Sequence, residues 1–177
     1  MKLTLSPILV LLALAAAGPA GARSSCHLPG GRTIATDRVA KLIALPAPGG
    51  DALFACIRRT GRKVALDDSY ADARLAGRWV GWQRHAGGKW RIDVHDLRSG
   101  RERLVDGHVA EASLFLTTTG TAVWAQAFDQ GFLVFANDVR TGGHLLDSGA
   151  IEPRSLRLSG RRASWRKDGA LYSADVR

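Results

Sequence analysis

Five histidines (His27, His85, His95, His108, His144) and two cysteines (Cys26, Cys56) are the side chains best suited to acid–base or metal chemistry. Asp93 and His95 stand two apart and share one face of an extended segment. A carboxylate beside an imidazole is the minimum for proton transfer, but no serine or cysteine nucleophile motif adjoins the pair. Neither His-x-His nor Cys-x-x-Cys spacing occurs, so no metal centre is expected. Asp96, Asp138 and Asp175 recur at one phase and could converge on a cation. Asp96 and Asp138 precede Ser/Thr by three residues and Gly by four. That spacing suits turns in which the carboxylate accepts backbone N–H bonds and Gly takes positive φ. The residue pattern assigns no catalytic group and no cofactor, and a non-enzyme is expected.

The two cysteines read instead as a staple. Met1 and Lys2 precede an apolar run from Ile8 to Ala17, broken at Gly18-Pro19 and followed by Ala20-Gly21-Ala22. A basic start, a short apolar core and an Ala-x-Ala end are the parts of a secretory signal peptide. The run is about half of the roughly 20 apolar residues a spanning helix needs. Residues 1–22 are therefore expected to be a leader, and 23–177 one exported domain with no membrane span. Export delivers Cys26 and Cys56 to a compartment where disulfides persist. Closing a loop of that length stabilises by roughly 3–4 kcal/mol in the chain-entropy model.

The elements that must position everything else come from an internal repeat. Trp82, Trp124 and Trp165 are spaced 42 and 41 residues apart. Asp96-Leu97-Arg98-Ser99-Gly100 returns in the same phase as Asp138-Val139-Arg140-Thr141-Gly142. Its first copy is degenerate (Arg58-Arg59-Thr60-Gly61) and its last reads Asp175-Val176-Arg177. Within each unit Val80/Trp82 and Ile92/Val94 alternate with their neighbours, the period of half-buried strands. Ala86-Gly87-Gly88, Asp129-Gln130-Gly131 and Asp168-Gly169 mark the turns between them, the last suited to a two-residue hairpin. The expected fold is all-β: about four units of about 42 residues, each an antiparallel sheet of four strands, here a to d, forming a small or incomplete β-propeller.

The copies resemble the blades of exported TolB-like propellers and, more distantly, WD-repeat blades. Trp165-Arg166-Lys167-Asp168-Gly169-Ala170-Leu171-Tyr172 carries the likeness best, resembling the Trp-x-x-Asp-Gly hairpin of TolB-type blades. The other units lack that hairpin, and Ile43 replaces the tryptophan of the first. The resemblance covers roughly 32–177 and implies an architecture, not an activity.

The fourth unit shows no strand d, and Arg23–Gly31 is a poor strand to supply one. An open edge invites a second copy or a partner chain. The repeated tryptophans are expected to pack between sheets, leaving Trp79 and Trp90 as candidate exposed aromatics. Turns a–b and c–d of a meander share one end of every sheet. That end gathers Arg58, Arg59, Arg62, Arg78, Arg98, Arg101, Arg161 and Arg162, with Arg140 beside them. The opposite end gathers Asp67, Asp68, Asp72, Asp106, Glu111, Asp129 and Asp147. The formal charge of +9 falls by one when Lys2 leaves with the leader. The expected function is an exported binding or scaffold domain whose basic rim meets an anionic envelope polymer or an acidic protein. Competing readings are a structural subunit completing its sheet with another chain, and an exported enzyme with a site at the central opening. Export disfavours a nucleic-acid partner.

Overall fold

The computed structural model describes residues 26–67, 70–110 and 113–176. The leader expected over 1–22, together with Asp68, Glu111 and Arg177, lies outside the described residues, as does the side chain of Asp106.

Period-2 alternation and glycine-bearing turns give fifteen strands and no helix among the described residues. Sheet 1 holds β1 (Arg32–Thr36), β2 (Ala40–Ala47), β3 (Gly50–Ile57) and β4 (Lys63–Asp67). Sheet 2 holds β5 (Asp72–Ala76), β6 (Trp79–Ala86), β7 (Lys89–Asp96) and β8 (Glu102–Asp106). Sheet 3 holds β9 (Phe115–Leu116), β10 (Ala122–Phe128), β11 (Gly131–Asp138) and β12 (Gly142–Gly149). Sheet 4 has three strands, β13 (Ile151–Ser159), β14 (Arg162–Lys167) and β15 (Ala170–Asp175). Every sheet is an antiparallel meander in chain order, so the fold is all-β with propeller-blade units. The Asp168-Gly169 pair turns the last hairpin with φ of 51° and 75°, pairing Lys167 with Ala170.

Successive sheets bury apolar faces against one another. Leu42, Leu53 and Ala55 of sheet 1 meet Val80 and Trp82 of sheet 2. Trp79, Ile92 and Val94 of sheet 2 meet Leu116, Ala122 and Trp124 of sheet 3. Val123, Ala125, Val134 and Ala136 of sheet 3 meet Ala163 and Trp165 of sheet 4. The innermost strands carry these contacts: β5 lies against β1 and β2, β9 against β5 and β6, and β13 against β9, β10 and β11. No comparable contact joins sheet 4 to sheet 1 among the described residues.

The N-terminal segment goes to the other end of the row. Cys26 is disulfide-bonded to Cys56 of β3, with Cα atoms 5.6 Å apart. Gly31 lies against Ile43, the residue standing at the tryptophan phase: a Cβ on Gly31 would lie 2.6 Å from its Cγ2. Residues 26–31 therefore lie against the free face of sheet 1 and, among the described residues, add no strand to sheet 4.

Candidate functional site

Bonds between turns align the ends of successive sheets. The Gly77 amide of the a–b turn of sheet 2 donates to Asp37 Oδ2 in the a–b turn of sheet 1 at 2.6 Å. Arg62 Nη2 of one c–d turn donates to the Leu97 carbonyl of the next at 3.2 Å. Arg103 donates to Asn137 Oδ1 at 2.7 Å and to the Gly120 carbonyl, which ties the same end of sheets 2 and 3.

At this end the carboxylates turn inward. Asp37 accepts the amides of Val39 and Ala40 at 2.7 and 2.9 Å. Asp96 accepts the Arg98 amide and the Ser99 hydroxyl, both at 2.9 Å. Asp138 accepts the amides of Arg140 and Thr141 at 2.6 and 2.7 Å, and the Thr141 hydroxyl. Burial works to raise the Asp96 carboxyl, but its N–H and O–H donors and nearby Arg78 outweigh it and hold the pKa below the usual range. At Asp138 burial is likewise outweighed, by Thr141, the turn amides and His144. The turn reading of these two aspartates stands. Asp175 differs: it is exposed at the end of β15.

The arginines turn outward, and all eight of the proposed rim are exposed. Arg58 Nη1 donates to the Asp37 carbonyl at 2.8 Å. Arg78 lies 3.3 Å from Asp96 and over the Trp79 ring. With Arg59, Arg62, Arg98 and Arg101 they cluster on the turns of sheets 1 and 2. Arg161 and Arg162 stand apart on sheet 4, where they donate to the Val176 carbonyl and the Ser173 hydroxyl. Arg140, on the c–d turn of sheet 3, lies between the two groups.

The opposite end is less acidic in effect than its composition. Trp82 Nε1 donates to Asp67 Oδ2 at 2.9 Å, and Trp165 Nε1 to Asp147 Oδ2 at 2.8 Å. In each pair the aspartate lies on strand d of one sheet and the tryptophan on strand b of the next. Lys167 also binds Asp147, at 2.8 Å. These donors overcome burial and lower the Asp147 pKa. Asp72 is engaged by Arg74, yet burial dominates and raises its pKa. Asp129 is exposed. The recurrence Leu66-Asp67, Val105-Asp106, Leu146-Asp147 carried a signal for these fasteners, visible only once strand d was aligned with the following tryptophan.

Other candidates dissolve into structure. Asp93 is fully buried and takes Arg84 Nε at 2.6 Å, with Asp67 3.5 Å from the same nitrogen. The carboxylate is thus committed to a guanidinium rather than to His95, whose Nε2 has no partner among the described residues. A cleft of about 510 Å³ beside this network is lined by Phe54, Leu66, Asp67, Arg84 and Glu102. The expectation of an exposed Trp79 is overturned: it is 6% exposed, because sheet 3 covers it and Gly120 lies against its ring. Trp90 is half-buried, stacked on His108 at 4.9 Å with His85 edge-on at 5.2 Å. No group of three or more His, Cys, Asp or Glu could hold a metal ion among the described residues, and none of their helices is long and apolar enough to cross a membrane.

No protein-family model and no curated protein sequence matches the chain. Among solved structures it is similar to TolB from Acinetobacter baumannii, with a TM-score of 0.44 and 17% identity over 76% of this chain and 40% of that one. The chain thus spans two fifths of the length of that protein.

Proposed function

We propose that the chain is an exported, non-enzymatic binding domain whose arginine-bearing end meets an anionic envelope polymer. The observation that carries this reading is the division of labour in the turns: Asp96 and Asp138 accept their own turn amides, while the exposed Arg98 and Arg101 side chains form no ion pair among the described residues. Guanidinium groups suit carboxylate and phosphate, and a row of them concentrates anions. The leader expected over 1–22 and the Cys26–Cys56 disulfide support an oxidising, extracytoplasmic location.

Binding of the purified chain to polyphosphate tests the proposal. Affinity should fall steeply with salt, since exposed charges are screened beyond about 10 Å at 0.1 M. Replacing Arg98, Arg101 and Arg140 together by glutamine should weaken binding while leaving Tm nearly unchanged, because exposed substitutions cost within about 0.5 kcal/mol. A control triple at Lys41, Lys89 and Arg154 removes equal charge elsewhere. Equal loss in both triples, or no binding at low salt, overturns the proposal.

A further inference from the structure

Sheets expose edges, and among the described residues all of them but one are blunted. Edge strands normally carry charge, proline, bulges or extreme shortness to prevent pairing with other chains. Here β1, β4, β12 and β13 each contain a register shift, and β13 also holds Pro153. The edges β5 and β8 carry Asp72 with Arg74 and Glu102 with Arg103, and β9 is two residues long. Strand β15, Ala170–Asp175, has no bulge, no proline and no charge before its last residue. Its Leu171 and Tyr172 are 73% and 44% exposed.

The hairpin sets which backbone groups are free. The Val176 amide bonds the Arg161 carbonyl at 2.7 Å. Alternation of hydrogen-bonded pairs along an antiparallel ladder then turns the amides and carbonyls of Ala170, Tyr172 and Ala174 toward β14. Those of Leu171, Ser173 and Asp175 point away, toward an added strand. Above them, Arg162 reaches across β15 with Nε and Nη2 3.1 and 2.6 Å from Ser173 Oγ. Arg166, paired with Leu171, lies on the same face. Neither guanidinium has a carboxylate at ion-pair distance among the described residues. Asp175 at the upper end of the strand disfavours acidic side chains there and so places them opposite Leu171 and Ser173.

We propose that β15 is a docking edge for an extended acidic segment of another protein, which adds as the fourth strand of sheet 4. Main-chain bonds to Leu171, Ser173 and Asp175 supply affinity, and alternate carboxylates meeting Arg162 and Arg166 supply selectivity. A second copy of this chain fits less well, because pairing β15 with itself across a two-fold axis brings two arginine-bearing faces together. The site is separate from the arginine-bearing turns of sheets 1 and 2, and does not rest on their role.

Fluorescence anisotropy with a labelled peptide of alternating Glu and Val tests it on the full chain. The controls are the same peptide with Lys for Glu, and two acidic versions N-methylated on alternate amides in either phase. The acidic peptide should bind and the Lys peptide should not. One N-methylated phase should lose about tenfold or more, the equivalent of about one hydrogen bond. Ser173→Pro should lose as much, since its N–H makes no bond to β14, and the methylated peptides decide the matter if that variant fails to fold. Arg162→Gln should weaken binding, whereas Arg98→Gln with Arg101→Gln should not. Equal binding of both methylated phases or of the Lys peptide, no binding at all, or loss through Arg98 and Arg101 each overturns the docking edge. So does a dimer in sedimentation that Ser173→Pro disperses, which assigns the edge to a second copy. The polyphosphate titration is independent of all these outcomes.

Discussion

The interface between sheets 3 and 4 and the interface between sheets 2 and 3 are built on tryptophans at the same repeat phase, and the polar bonds described at them differ. Trp165 packs on Val123, Ala125, Val134 and Ala136 and also donates its indole N–H to Asp147. Trp124 is as deeply buried, 2% against 3% exposed, and stacks on Phe135 with centroids 5.4 Å apart. Its Nε1 has no partner among the described residues. Polar fastening at that interface is made by Arg103, reaching from β8 to Asn137 and Gly120. Burial lowers the Arg103 pKa against the pull of Asp138. The repeat therefore dictates where apolar mass sits, and Arg103 adds a polar bond of its own between sheets 2 and 3.

The largest effect expected is loss of the apolar mass itself. Trp124→Ala and Trp165→Ala should each destabilise by about 3–5 kcal/mol in denaturant titrations. A variant with unchanged unfolding would break the packing role shared by the two interfaces.

A smaller effect sharpens the difference between them. Phenylalanine keeps an aromatic ring and removes only the indole N–H and some volume. Trp165→Phe deprives Asp147 of a donor, whereas Trp124→Phe removes an N–H that bonds to nothing described. The first should cost about 1–3 kcal/mol more than the second, the scale of a buried polar group losing its partner. Equal costs would show that Trp124 is fastened like Trp165.

The smallest effect is a dependence on pH. The folded pKa of Asp147 is depressed, so its contribution is fully present above the unfolded value of about 3.9 and is lost as pH falls through the lower folded value. Asp96 and Asp138 act in the same window and direction. Tm should therefore decline as pH drops below about 4, and Asp147→Asn should flatten part of that decline. An unchanged slope would mean that Asp147 titrates alike in the folded and unfolded chain.

How much of this was legible beforehand depended on whether a feature repeats along the chain or across space. Period-2 alternation, the 42- and 41-residue spacing of Trp82, Trp124 and Trp165, and the Asp-x-x-Ser/Thr-Gly turns are local. They yielded the strands, the four units, the buried tryptophans and the roles of Asp96 and Asp138. The exposure expected of Trp79 did not survive, because a neighbouring sheet decides which face of a strand is covered. Asp93 gave a similar lesson: its two-residue distance from His95 was visible in the sequence, but its partner Arg84 lies on the neighbouring strand β6.

The sequence by itself determined the element type and the unit length, since backbone alternation and turn chemistry act over a few residues. It also marked Cys26 and Cys56 as a pair, there being no other cysteines. Tertiary structure alone decided that residues 26–31 lie against sheet 1, and that Asp67 and Asp147 hold tryptophans instead of facing solvent. It decided, too, that β15 is the unblunted edge. These outcomes depend on which sheet face meets which. A buried donor such as an indole N–H takes whatever acceptor that meeting brings within about 3 Å, a choice no local pattern encodes.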